Sequence, residues 1–107
     1  MEIQYIWSDA WILLSIIYGS KQTPTTILVI ISIADYVQHA IVTFEEMEGA
    51  LARLSKGGYI VEDDGKFSAS IKVQEYYKSI TKPRRPVLKE VDDIEKYVIP
   101  REKFHSF

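Results

Sequence analysis

Apolar residues recur at helical spacing along most of the chain, and polar or glycine-containing breaks divide the pattern into elements. Ala10, Trp11, Leu13, Leu14, Ile17 and Tyr18 form the first run; Ser8 or Asp9 is placed to cap its start, and Gly19 to end it in a left-handed turn. Thr23 followed by Pro24 has the character of an N-cap with proline at the first helical position. Ile27, Ile30, Ile31, Ala34, Val37 and Ile41 then continue at intervals of three and four, which predicts a second helix. The rival reading takes residues 26–33 as a buried strand, because β-branched side chains dominate there. No turn signal separates Ile33 from Ala40, so such a strand would run into a helix without punctuation, and the helix is preferred.

Thr43-Phe44-Glu45-Glu46 has the form of a capping box, in which the hydroxyl and the second carboxylate each satisfy a free amide at a helix start. The third helix that follows carries Met47, Ala50, Leu51 and Leu54 as its core stripe and stops at Gly57-Gly58. Residues 59–62 and 67–69 flank Asp64-Gly65, a dipeptide suited to the tight turn of a two-stranded hairpin. Ser70 is placed to cap a fourth helix with Ile71, Val73, Tyr76, Tyr77 and Ile80 as apolar positions, ending ahead of Pro83. The basic segment Lys82-Pro83-Arg84-Arg85-Pro86 reads as a stiff connector. Leu88, Val91, Ile94, Tyr97 and Val98 then predict a last helix over residues 87–98, stopped by Pro100, with residues 101–107 as a tail.

The fold expected is therefore mainly α with a small β component: a three-helix core, a two-stranded hairpin and additional C-terminal helices. Residues 1–80 form the domain, and residues 81–107 form a connector, helix and tail packed on it. That order is the order of a winged helix-turn-helix domain, and the likeness covers residues 8–80. The stretch Leu51-Ala52-Arg53-Leu54-Ser55-Lys56-Gly57-Gly58-Tyr59-Ile60 resembles the end of the recognition helix and the entry to the wing in bacterial regulators of the MarR and PadR type. Residues 67–77 resemble the return strand and following helix of those proteins. Residues 34–40 and 43–46 resemble small uncharacterised bacterial proteins of the same architecture, which carry no assigned activity. The resemblance implies an architecture and leaves function open, because such units serve DNA reading, dimerisation and protein docking alike.

Composition narrows the choices. With 107 residues the chain is the size of one domain, and an apolar share of 47% is ample for a packed core. There is no cysteine, which excludes disulfides, thiolate zinc sites and cysteine nucleophiles. The uncharged stretches 10–20 and 22–34 are each shorter than the ~20 residues that cross a bilayer, so no membrane partner is expected. Glu2 and Asp9 precede the first basic residue, Lys21, which is the wrong pattern for an export or transit signal; a cytoplasmic protein is expected. Thirteen Lys and Arg against fifteen Asp and Glu leave a net charge of -2 and no global field toward nucleic acid.

Local charge carries more information. If the resemblance holds, the third helix enters the major groove and the hairpin tip touches the backbone beside it. The leading outward positions of that helix are Glu45, Glu46 and Glu48, and the hairpin tip carries Glu62, Asp63 and Asp64 beside Lys66. Glu46 is explained by the capping box; the others exceed what capping needs. DNA binding gains most of its non-specific affinity from protein cations that displace counterions, so these six carboxylates oppose it. Against them stands a cationic set, Arg53, Lys56, Lys82, Arg84, Arg85 and Lys89, which could line a nucleic-acid backbone if the connector folds beside the third helix.

No catalytic motif, phosphate loop or dinucleotide fingerprint occurs, and no enzyme activity, cofactor or metal is expected. Asp35 and His39 lie one turn apart and could hold a metal or relay a proton; a helix-terminal histidine beside an acid explains them as well. His105 lies in the tail. Trp7 and Trp11, also one turn apart, could bury a dimer seam or flank a ligand. The function expected is a non-enzymatic regulatory module that meets a protein partner or a second copy, as a homodimer, through its acidic surface. The alternatives are a DNA-binding transcriptional regulator and, behind it, a small-ligand binder.

Overall fold

The computed structural model describes residues 4–38, 43–84 and 86–99. Along them run α1 (Trp7–Gly19), α2 (Ile27–Gln38), α3 (Phe44–Lys56), β1 (Ile60–Asp63), β2 (Lys66–Ala69), α4 (Ile71–Ile80) and α5 (Val87–Val98). The class is α+β, with β1 and β2 paired antiparallel.

Helix α1 is the axis. Every residue from Asp9 to Ile17 is buried, so this stretch of the helix has no solvent face, which is the behaviour of a helix apolar all round. It is enclosed by α2, α5, α3 and β2. The absence of charge after Asp9 is thus a burial signal, and the core stripes of three other helices converge on α1: Ile30 and Ala34 from α2, Met47, Ala50, Leu51 and Leu54 from α3, Val91, Ile94 and Val98 from α5.

Helix α3 has the capping box its sequence predicts. The Glu46 amide donates to Thr43 Oγ1 at 3.1 Å, and the Thr43 amide donates to Glu46 Oε1 at 3.2 Å. Its other end is a Schellman closure: Tyr59 N–H donates to Leu54 O, Gly58 N–H donates to Ser55 O, and Gly58 takes the left-handed φ of 77° that the motif requires. The chain passes straight into β1. Ile60 pairs with Ala69 and Asp63 with Lys66. Between them Asp64 (φ 55°) and Gly65 (φ 76°) are both left-handed, the turn whose twist matches that of two antiparallel strands.

Two expected boundaries shift, and one expected cap differs in conformation. Helix α2 begins at Ile27 rather than at Pro24, because Thr25 exchanges two backbone hydrogen bonds with Phe67, each 2.7 Å long, and so belongs to the edge of β2. Thr26 Oγ1 then stands 3.5 Å from the Val29 amide, in the place expected of Thr23. Helix α1 begins at Trp7, with Asp9 in its first turn, neither Ser8 nor Asp9 being its N-cap. Gly19 ends α1 without a left-handed φ. It is there for space: a Cβ would lie 3.0 Å from Ile33 Cδ1 and 3.1 Å from Thr25 Oγ1.

The C-terminal helices are where expected, with corrections to their apolar sides. In α4 only Val73 is fully buried, Tyr76, Tyr77 and Ile80 are half-buried, and Ile71 is exposed. Ser70 is the N-cap residue of α4, but its hydroxyl makes no capping bond. Helix α5 turns Leu88 outward and Glu90 inward.

Candidate functional site

The six predicted surface acids are all exposed. Glu46 is bound into the cap of α3, and among the described residues the other five carboxylates take no part in a hydrogen bond or ion pair. What the structure adds is a groove between α3, β1 and the start of α2, about 310 Å³ in volume. Ile27, Leu51 and Phe67 give it an apolar floor, Ala52 and Ser55 a shallow wall, and Glu48 and Glu62 place one carboxylate from the helix and one from the ribbon beside it. Glu45 lies on the same helix; Asp63 and Asp64 continue the ribbon to its tip. The helix and the hairpin therefore each bring one acid, Glu48 and Glu62, to a shared concavity.

The cationic set behaves differently. Arg53 is engaged inward: its Nε donates to Asp9 Oδ2 at 2.7 Å and its Nη2 to Asp9 Oδ1 at 2.8 Å, a bidentate pair with Asp9 wholly buried and Arg53 28% exposed. The carboxylate holds the guanidinium even further above its ordinary range. Arg53 is thereby removed from any continuous positive stripe. Lys56, Lys82, Arg84 and Lys89 are exposed, and Arg84 has a left-handed φ of 66° in the connector; Arg85 lies outside the described residues. Lys72, absent from the predicted set, reaches the turn that follows α3, donating to Gly57 O at 3.1 Å with its ammonium 4.5 Å from the centre of the Tyr59 ring.

Two buried carboxylates organise the interior. Asp9 accepts the Ile6 amide at 3.0 Å as well as the Arg53 fork, so it closes the first turn of α1 while tying it to α3. Glu90, 4% exposed, is surrounded by hydroxyls: Tyr18 and Tyr77 donate to Oε1, the latter at 3.0 Å, and Thr81 donates to Oε2 at 3.1 Å. Burial, and then the bond to Glu90, raise the Tyr18 phenol far above its ordinary range; burial raises Tyr77 as well. Sequence reasoning misses both clusters. For Glu90 a signal existed, since Glu90, Ile94 and Val98 recur every fourth residue along the buried side of α5. For Asp9 and Arg53, 44 residues apart, none did.

Trp7 and Trp11 are in contact, their ring centres 5.9 Å apart; Trp11 is buried, its indole N–H without a partner, and Trp7 is 47% exposed. Neither ring lines the groove. Asp35 is exposed, while His39 and His105 lie outside the described residues. Among the described residues no three His, Asp or Glu side chains are placed to share a metal ion, and no helix is long and apolar enough to cross a membrane. No known family model, curated protein or solved structure matches the chain.

Proposed function

We propose that the chain is a winged-helix module, non-enzymatic, that engages a basic protein partner or the basic connector of a second copy through α3 and the ribbon. Support for the architecture is the run of three helices into a hairpin, with Thr25 adding a single bridged residue to β2 as a third strand position. The observation that carries the functional reading is the groove itself, where Glu48 and Glu62 stand over an apolar floor. Such a surface suits a lysine or arginine side chain: the aliphatic stem lies on Ile27, Leu51 and Phe67, and the charged head reaches the carboxylates. It is ill suited to phosphate, which would meet acids from both elements.

The test is fluorescence anisotropy against two labelled probes, an oligolysine peptide and a mixed-sequence DNA duplex, each across a salt series. The expected outcome is salt-sensitive binding to the peptide and none to the duplex. Tight binding to the duplex that falls linearly with log salt overturns the proposal and favours the DNA-binding regulator. Sedimentation of the protein over a concentration range separates a foreign partner from a second copy.

A further inference from the structure

A second concavity, about 260 Å³, opens between the end of α1, the end of β2 and α4, and shares no lining residue with the α3 groove. Ile17, Ala69 and the ring of Tyr77 supply its apolar surface, and two lysines from different elements also line it, Lys21 just beyond α1 and Lys78 on α4. No carboxylate among the described residues lines it. Neither lysine is in an ion pair among the described residues. Gln74 is tied to the Ala69 carbonyl by its amide nitrogen at 2.8 Å, so charge recognition falls to the lysines. Glu90 is buried behind Tyr77 and Thr81 and already surrounded by three hydroxyl donors, and Glu75, one turn before Lys78 on α4, is exposed and does not line the cavity.

We infer that this cavity is a binding site for a small organic anion, a single charged group held between Lys21 and Lys78 and an apolar body laid on Ile17, Ala69 and Tyr77. Its volume falls just below the ~300–1,000 Å³ of ordinary ligand pockets, which limits the body to one or two rings or a short branched chain. Lys21 is already oriented by the aromatic faces beneath it, its ammonium 5.4 Å from the centre of Tyr18 and 6.0 Å from that of Tyr77. A ligand bound here touches α1, β2 and α4 together.

The experiment is calorimetric titration of the whole chain with naphthalene-1-sulfonate and with its uncharged counterpart 1-naphthol. The sulfonate binds at one site, and naphthol binds roughly tenfold more weakly, as expected from the loss of charge-assisted contacts. K21Q/K78Q, which alters two exposed side chains, removes that preference, and Q74W, which keeps both lysines and fills the cavity, abolishes binding. Three results overturn the inference: equal affinity for the two probes, unchanged sulfonate binding by K21Q/K78Q, or no binding of the sulfonate at ~1 mM.

Discussion

Asp9 and Glu90 are both carboxylates buried in the first turn of their own helices, and they are held in opposite ways. Asp9 faces a full positive charge in a bidentate fork. Glu90 faces only neutral hydroxyls, with Lys21 set back beyond the two tyrosine rings. The positions explain the difference. Asp9 lies on α1 where α3 passes, and a residue one helical face away from Met47 and Leu54 can bring a guanidinium to it from the surface. Glu90 lies where α1, α4 and α5 meet, a junction of tyrosines, and hydroxyls on rigid rings satisfy its oxygens without burying a second charge. One acid pins the beginning of α1 and the other its end.

Removing one member of the charged pair is expected to have the larger effect. Asp9→Ala leaves the Arg53 guanidinium without its counter-charge and the Ile6 amide without an acceptor, and should lower unfolding free energy by about 3–5 kcal/mol in urea titration. Asp9→Leu combined with Arg53→Met should lose far less, about 1 kcal/mol, because the remaining defect is the uncapped turn. A double variant as unstable as D9A would show that the pair contributes attraction beyond relief of an isolated charge.

Glu90→Gln keeps the shape and exchanges one acceptor oxygen for a donor nitrogen. The Tyr and Thr hydroxyls can rotate, so the expected loss is smaller, about 1–2 kcal/mol by the same titration. A loss as large as that of D9A would mean that the hydroxyl cage is as demanding as a salt bridge.

The two sites also separate by pH. Tyr18 and Tyr77 have phenols raised above the ordinary 10.0 by burial and by Glu90, so the folded state holds those protons more tightly than the unfolded chain. Their contribution is complete below pH 10.0 and is lost as pH rises beyond it toward the folded values. Thermal melts followed by circular dichroism should show the midpoint falling above that pH, and Tyr18→Phe combined with Tyr77→Phe should flatten the fall. An unchanged slope in the double variant would assign the alkaline sensitivity to Tyr5, Tyr59 and Tyr97, whose phenols burial also raises.

The comparison also marks what can be read along the chain and what cannot. Thr43 with Glu46, Gly57-Gly58 and Asp64-Gly65 act within five residues, and each does locally what its chemistry predicts. Thr23-Pro24 is the instructive failure: its capping chemistry is sound, but the pairing of Thr25 with Phe67 outcompetes it. Gly19 similarly has the composition of a cap and the function of a spacer. The exposed acids of α3 and the ribbon were legible from amphipathic spacing; that Glu48 and Glu62 share one concavity was not, since it depends on how the hairpin leaves the Schellman turn. Arg53 has the exposure pattern of a surface cation until Asp9 is brought beneath it.

Exposed acids extend the contrast to its weak limit. Glu48 and Glu62 have water on one side and no ion-pair partner among the described residues, so replacing them removes neither a paired charge nor a hydrogen-bond acceptor from the interior. Glu48→Lys combined with Glu62→Lys should therefore change stability by no more than about 0.5 kcal/mol, the smallest effect in the series. Oligolysine binding should nevertheless weaken by roughly tenfold at low salt, with a shallower dependence on added salt, because the reversal places two cations beside the apolar floor. A stable variant that binds the peptide as the parent does would move the interaction off the groove. A variant that gains duplex binding would show that these two carboxylates are what keep the α3 and ribbon surface from nucleic acid.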